Sequence, residues 1–443
     1  MFQKLLTFVG GIHPGENKNF TENLEIEEMP LPKSVYIPLS QHIGKPATAL
    51  VKKGSIVKEG EVIATAEGFI SSPIHSPVAG TVLKITTGAN LSGVPKEYIE
   101  IQVNPEGEKV FMEPVDWQNN DKKTIINRIK EAGIVGQGGA AFPTFVKLSP
   151  PPGKTIDYLV INGAECEPYL TRDYRLMLER TSDLIEGIRI LMKAAGVPKA
   201  IIGIENNKPL AIQKVTEAAK AYPEIQVATL KTKYPQGAEK MLIFAGTGRK
   251  VPPGKLPLDV GVIVQNIGTS LSVYDAVVKG IPSITSVMTV TGKGITTPKN
   301  LLVRVGTQLA EVINYCGGLK PEAVKVISGG PMMGIAQYDF NAPVMKASSG
   351  LLVLASSEIN EAVETPCLRC GKCVEVCPLN LLPTRLAKLT QMGKFEDAEE
   401  YGVTVCMECG SCAYECPANI PLVQWIKLGK KEVSKIQRAR KSS

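Results

Sequence analysis

Cys367-Leu-Arg-Cys370-Gly-Lys-Cys373-Val-Glu-Val-Cys377-Pro378 and Cys406-Met-Glu-Cys409-Gly-Ser-Cys412-Ala-Tyr-Glu-Cys416-Pro417 decide how the C-terminal part of this chain must fold. Each stretch reads C-x2-C-x2-C-x3-C-P, and each cysteine of the second lies 39 positions after its counterpart in the first. That spacing is the bacterial two-cluster pattern, in which the fourth cysteine of each run ligates the other cluster. It places Cys367, Cys370, Cys373 and Cys416 around one [4Fe–4S] cluster, and Cys406, Cys409, Cys412 and Cys377 around a second. Gly371 and Gly410 relieve crowding where backbone meets cluster. A zinc ribbon pairs one C-x2-C with another and needs neither the third and fourth cysteines nor the proline.

Working outward, Leu381 to Gly402 reads as helical, with apolar residues at Leu382, Leu386, Leu389, Met392 and Phe395. Another helix starts near Ile420-Pro421-Leu422. The tail from Lys427 to Lys441 carries seven basic residues and one acid. It reads as a solvated, disordered end, with contact to an anionic membrane surface as the alternative. Cys166 and Cys316 have no partner at ligand spacing and read as buried structural thiols.

The whole-chain numbers set the frame. At 443 residues three to four domains are expected, and 44% hydrophobic with 21% charged residues is ordinary for a soluble globular protein. A net charge of +7 makes no case for nucleic acid as a partner. No stretch is apolar long enough to span a bilayer. The N-terminus lacks a small-residue cleavage site, so no secretory leader is expected. The thiols are then expected to stay reduced, and ten cysteines argue for metal rather than disulfides.

Residues 33–103 alternate short β-prone runs with Gly and Pro turns. Val51 to Ile63 and His75 to Leu83 resemble a biotinyl/lipoyl barrel-sandwich. Its tip, Glu67-Gly-Phe-Ile-Ser-Ser-Pro-Ile-His75, has no acceptor lysine, so docking or scaffolding is the expected role. His13, His42 and His75 are too scattered for a metal site. Further on, Gly136-Gln-Gly138-Gly139-Ala-Ala141 matches a dinucleotide fingerprint. The segment before it, Thr124 to Ala132, is helical in period rather than the strand that fingerprint requires. A glycine turn can still bring N–H groups against a phosphate or a flat ring, with Lys147 adding charge. Downstream, strands at 157–161, 200–204, 225–230 and 260–264 alternate with helices at 183–195 and 210–221, a wound αβ sheet. Its strand ends carry Asn162, Glu165 and Glu167, Glu205, Lys231, and Gln265 and Asn266, which points to a site on that edge.

With these motifs in view the chain resembles the RnfC family, the C components of the Rnf ion-translocating ferredoxin:NAD oxidoreductases. The resemblance runs through Gly11-Ile-His-Pro-Gly-Glu, Tyr234-Pro-Gln-Gly-Ala-Glu239, Thr289-Val-Thr-Gly, Gly329-Gly-Pro-Met-Met-Gly and both cysteine runs. The central part is similar to the NADH-binding flavoprotein subunit of respiratory complex I. That similarity implies FMN against Gly136, Gly138, Gly139, Lys147, Asn162, Glu165, Asn266 and Thr269. It implies NAD(H) near Phe142, Glu167 and Glu239. Ala164, Gln265 and Gly268 stand where that family has Asp, Asn and Glu.

The implied architecture is multidomain α+β. An N-terminal segment and barrel-sandwich (1–115) precede a Rossmann-like FMN/NADH domain (116–284), a β-grasp module (285–355), an α-helical two-cluster ferredoxin domain (356–426) and the basic tail (427–443). No nucleophile–base constellation is evident, as suits a site where a cofactor does the chemistry. Hydride carries two electrons and a cubane accepts one, so a flavin must divide the pair. The resemblance further implies a peripheral subunit on the cytoplasmic face of the cell membrane, partnered by other subunits of the complex and by ferredoxin or another iron–sulfur protein. Two other readings remain: the cobalamin reductase of propanediol utilisation, and a cluster scaffold that binds no nucleotide.

Overall fold

The computed structural model describes residues 5–442, the side chains of Lys441 and Ser442 aside. The leader reading of the N-terminus falls partly on residues 1–4, which lie outside them.

After a short strand β1 (Ile26–Glu28), seven strands build the barrel-sandwich: β2 (Ser34–Pro38), β3 (Thr48–Ala49), β4 (Ile56–Val57), β5 (Val62–Thr65), β6 (Ile74–His75), β7 (Gly80–Gly88) and β8 (Lys96–Val103). They pair as β2-β8-β7-β4 and β3-β5-β6. Period-two alternation drives this, since Ile99 and Ile101 are buried while Glu100 is half-buried and Gln102 exposed between and after them. Val35, Ile37, Ile63, Ile74 and Val82 complete the interior.

Next come α1 (Lys122–Glu131) and α2 (Thr144–Lys147), with the glycine loop between them. Asp121 caps α1 by accepting the Thr124 N–H at 2.8 Å, a cap worth about 1 kcal/mol. The wound sheet follows: β9 (Tyr158–Gly163), α3 (Arg172–Glu179), α4 (Thr181–Ala195), β10 (Lys199–Glu205), α5 (Pro209–Ala219), β11 (Ile225–Leu230), α6 (Glu239–Thr247), β12 (Val262–Asn266) and α7 (Ile267–Val278). All four strands are parallel, in the order β11-β10-β9-β12. Helices cover both faces, so the strands read as near-continuous apolar runs; in β10 every residue after Lys199 is buried. The winding leaves β9 toward β10 and β11, then returns to β12 on its other side. The direction therefore reverses between the carboxyl ends of β9 and β12, where a crevice opens in sheets of this kind.

The third sheet contains β13 (Thr285–Thr291), β14 (Lys299–Arg304), β15 (Ala323–Ser328), β16 (Ile335–Gln337) and β17 (Gly350–Ala355), with α8 (Leu309–Tyr315) after the first hairpin. Its order is β1-β14-β13-β17-β15-β16, the last strand lying centrally and parallel to β13. The cluster module holds α9 (Lys372–Glu375), α10 (Pro383–Gln391), α11 (Phe395–Glu400), α12 (Ser411–Tyr414) and α13 (Leu422–Ser442).

Three features differ from the sequence expectations. The stretch that reads as helical over Leu381–Gly402 is not continuous but broken into two helices, because Gly393 at φ +68° ends α10. The tail is not a disordered end within the described residues: it continues α13. Leu422, Ile426 and Val433 recur at helical spacing and are buried, and Gly429 lets the helix lie against Thr390. That apolar stripe outweighs the charge count. Finally, the N-terminal segment serves three other modules. Leu6 bridges Leu230 of β11, the Gly11 N–H donates to the Val376 carbonyl at 2.8 Å, and β1 extends the third sheet.

Candidate functional site

Asn162 and Asn266 are register partners at the carboxyl ends of β9 and β12. Asn266 caps α7, its Oδ1 accepting the Gly268 N–H at 2.8 Å. The same oxygen accepts from Arg172 Nη2 at 2.8 Å, while Asn266 Nδ2 donates to Asp173 at 2.6 Å. Arg172 also donates to the Gln137 carbonyl at 3.0 Å, and the Gln137 N–H donates to Thr269 Oγ1 at 2.9 Å. The glycine loop is thus bolted onto the first turn of α7. Arg172 is almost wholly buried but paired with Asp173 at 2.9 Å, as burial of a charge demands.

Within that loop the Gly136 N–H donates to the Phe142 carbonyl at 2.9 Å. A Cβ at Gly138 would stand 3.0 Å from Asn266, and one at Gly139 would meet nothing. Backbone is therefore presented bare to the crevice. Lys147 Nζ donates to the Val264 carbonyl at 3.2 Å and lies 3.5 Å from Glu239, which joins α2 to the start of α6. Asn162 Nδ2 donates to the Gly237 carbonyl at 2.9 Å. Gly136, Gly138, Gly139, Phe142, Lys147, Asn162, Glu239, Asn266 and Thr269 therefore gather along one sheet edge.

Glu165 and Glu167 have other partners. Glu165 accepts the Asp173 and Tyr174 N–H groups at 2.6 and 3.1 Å, capping α3. Glu167 accepts the Met332 and Met333 N–H groups at 3.1 and 2.9 Å, locking the wound-sheet domain to the loop before β16. Burial pushes each carboxyl up to about 7. Beneath them, Lys18 Nζ donates to the carbonyls of Glu165, Glu167 and Leu170 at 3.0, 3.1 and 2.6 Å. Lys208 Nζ donates to the Ala164 carbonyl at 2.7 Å. The acidic loop is held by two buried cations from distant segments.

One departure from the complex I pattern has a steric account. A Cβ at Gly268 would lie 2.5 Å from Gln137 Oε1 and 2.8 Å from Arg172 Nη2, so Arg172 fills the space a side chain there would need. At another, Gln265 Nε2 is buried without a partner, as is Arg172 Nη1. Bare loop backbone and unpaired buried donors fit an electron-rich planar or phosphorylated ligand. Arg172, Asp173, Lys18 and Lys208 were not singled out from sequence. The first two follow the acidic loop directly, in Thr171-Arg-Asp-Tyr-Arg, and that adjacency was the available signal.

The cysteine runs share one backbone design. Arg369 and Glu408 sit at φ +57° and +63°, Gly371 and Gly410 at +80° and +81°, and Asn380 and Asn419 at +54° and +51°. Left-handed residues at matching positions turn three thiols inward. The Glu408 N–H donates to Cys406 Sγ at 3.3 Å, and the Arg369 N–H to Cys367 Sγ at 3.4 Å. Cys377, Cys406, Cys409 and Cys412 line one small cavity walled by Pro378, Leu381, Leu386, Val423 and Ile426. That is the set ligand exchange requires, three from the second run and the last of the first. On the other side, burial pushes the Cys373 thiol up, and the nearby Cys416 and Cys367 push it in the same direction. Among the described residues no three His, Cys, Asp or Glu side chains are grouped to hold a metal ion. Thiols spread around an apolar cavity suit a cubane, which takes one cysteine at each iron. Of the remaining two, Cys316 is buried in the third sheet's core, and Cys166 Sγ accepts the Gly237 N–H at 3.2 Å.

A wound flavin-type sheet joined to a paired-cluster module defines an electron-transfer protein of the NADH-flavoprotein class. Family models match accordingly: the RnfC barrel sandwich hybrid domain over residues 6–106, the Nuo51 FMN-binding domain over 129–275, the SLBB domain over 287–336 and the 4Fe-4S dicluster domain over 360–417. The C component of the proton-translocating ferredoxin:NAD(+) oxidoreductase complex of Clostridium ljungdahlii is 48% identical, over 97% of this chain and 94% of that one. Its counterpart in the Na(+)-translocating complex of Acetobacterium woodii is 42% identical, over 96% and 97%. Among solved structures, an NAD+-reducing [NiFe]-hydrogenase shares the fold at a TM-score of 0.50 and 17% identity, over 73% of this chain and 65% of that one. The chain belongs to the RnfC family, the C components of the ion-translocating ferredoxin:NAD(+) oxidoreductase complexes.

Proposed function

We propose that this chain is the NAD(H)-reactive subunit of a membrane-bound ion-translocating ferredoxin:NAD oxidoreductase, passing electrons between NAD(H), FMN and two [4Fe–4S] clusters. The observation that carries it is the coexistence in one chain of a glycine-lined switch-point crevice and two cysteine runs, the first of which sends Cys377 into the cavity lined by the second. When bound, FMN supplies the step between a two-electron hydride donor and one-electron clusters. Gly136, Gly138, Gly139, Lys147, Asn162, Asn266 and Thr269 are the residues that would hold it, with Gln265 and Arg172 offering unpaired donors beneath. Phe142 and Glu239 border the side open to the dinucleotide. Glu165 and Glu167 act by shaping the acidic loop, since their oxygens already accept backbone N–H groups.

The cluster held by Cys377, Cys406, Cys409 and Cys412 faces the flavin domain and is the inner relay. Cys367 and Cys370 are exposed, so the cluster they hold is the outer one, where ferredoxin or another iron–sulfur subunit exchanges electrons. The order of the third sheet, with β17 central and parallel to β13, supports a β-grasp reading of residues 285–355. These modules support a division into barrel-sandwich, wound-sheet, β-grasp and cluster domains, with the residues from 427 onward continuing α13 of the cluster module and residues 5–28 serving as a strap across three of them. Among the described residues no helix is long and apolar enough to cross a membrane. Membership of the RnfC family supports attachment through partner subunits of a membrane complex, which we place on the cytoplasmic face.

Anaerobic purification with flavin, iron and sulfide analysis tests the reading. About one FMN and about eight irons per chain are expected, with flavin bleaching on NADH addition. Lys147→Ala is expected to lose flavin while keeping iron. Clusters that NADH reduces equally well without flavin would overturn it.

A further inference from the structure

Tyr234 lies between the crevice and the inner cysteine set, and nothing in the proposed electron route yet uses it. Its side chain is 2% exposed, and its hydroxyl donates to the Cys409 carbonyl at 2.8 Å. Its backbone is fixed by an antiparallel exchange with Ile12: the Ile12 N–H donates to the Tyr234 carbonyl at 2.8 Å and the Tyr234 N–H to the Ile12 carbonyl at 2.9 Å. One residue earlier, the Gly11 N–H donates to the Val376 carbonyl, next to the cluster ligand Cys377. Three residues after Tyr234, Gly237 receives Asn162 at its carbonyl and offers its N–H to Cys166. Tyr234, Ile12 and Cys409 pack together, with Cys166, Met332, Val376 and Met407 around them. Bonded contacts therefore run without a gap from Asn162 in the crevice to a ligand residue of the inner cluster.

We propose that Tyr234 is a positioning residue that sets the reduction potential of the inner cluster and joins it to the flavin crevice. Reduction adds one electron and one negative charge to the cluster. A hydroxyl dipole aimed at the carbonyl of a ligand residue stabilises that added charge, and hydrogen bonding around the ligands is among the main determinants of cluster potential. The tyrosine keeps its proton, and no bond is made or broken. The matching position of the outer set, Cys370, is exposed, and no comparable bond is found to its carbonyl among the described residues. The effect is therefore confined to one of two clusters whose local sequences match.

The inference takes its electron source from the proposed function, but its test does not. Tyr234→Phe keeps the buried ring and removes only the hydroxyl. The variant and the unaltered chain are titrated anaerobically with dithionite while EPR follows each cluster, so a chain without flavin still gives an answer. The inner cluster is expected to become about tenfold harder to reduce, about 59 mV lower for one electron, with the outer cluster unmoved. Should Tyr234→Phe fail to assemble, Gly11→Ala takes its place, since a Cβ there would stand 2.6 Å from the Tyr234 carbonyl and push the residue off its partner. No shift in the inner cluster, or an equal shift in both, overturns the proposal.

Discussion

The two cysteine runs have the same spacing and the same left-handed turns, yet their first two cysteines stand in different surroundings. In the first, Cys367 and Cys370 are exposed on a segment without regular structure. In the second, Cys409 and Cys412 are buried, with Tyr234 against one side and α13 against the other. Lys430 of α13 donates to the Cys406 carbonyl at 2.7 Å and pairs with Glu408 at 2.9 Å. Local sequence therefore determines how thiols converge, and tertiary packing determines which cluster meets solvent. One repeat can in this way supply both the inner and the outer station of an electron relay.

The sharpest way to break this comparison is to exchange the fourth ligands. Cys377→Ser lies in the first run but should destroy the inner cluster. It should behave like Cys409→Ser, with NADH-driven reduction of the outer cluster lost. Cys416→Ser should instead behave like Cys370→Ser, losing the outer cluster while the inner one still reduces. Iron should fall by about half in each case, and EPR spin counts identify which signal goes. If Cys377→Ser pairs with Cys370→Ser, the ligands are not exchanged. A smaller effect concerns accessibility. An iron chelator should remove iron in two phases of about equal size, the faster from the exposed set. Cys370→Ser should abolish the fast phase and leave the slow one. A single phase in the unaltered chain would mean that burial does not distinguish the clusters.

How much of this was legible in sequence follows from the range of the interactions involved. Strands such as Ile225–Leu230 and the cysteine grouping depend on local period and spacing, and both were readable. Arg172 was not, because its worth lies in meeting Gln137 and Asn266, residues 35 and 94 positions away. Lys18 was missed for the same reason, reaching carbonyls about 150 residues downstream. In the tail, counting charges concealed the buried stripe of Leu422, Ile426 and Val433. The backbone bonds to Glu165 and Glu167 were not legible either, since for Glu167 the donors are Met332 and Met333, 165 and 166 positions away.

The smallest predicted effect tests whether the inner site owes its protection to Glu167. Its carboxyl, raised by burial to about 7 from an ordinary 4.5, clamps the Met332 and Met333 N–H groups, and Met332 packs beside Cys409. While the clamp is closed the group holds a proton that it would lose in water at the same pH. Opening therefore releases a proton between about pH 4.5 and pH 7, and the closed form loses its advantage as pH rises through about 7. Between pH 6 and 7 this amounts to at most about 1.4 kcal/mol, a factor of ten in the opening equilibrium. The slow phase of iron removal should accelerate several-fold over that interval, while the fast phase from the exposed set stays level once the chelator's own titration is subtracted. Glu167→Gln cannot titrate and should flatten the slow phase. A slow phase with the same pH slope in that variant would place the inner cluster's protection elsewhere, in α13 and its Lys430 contact with the Cys406 carbonyl.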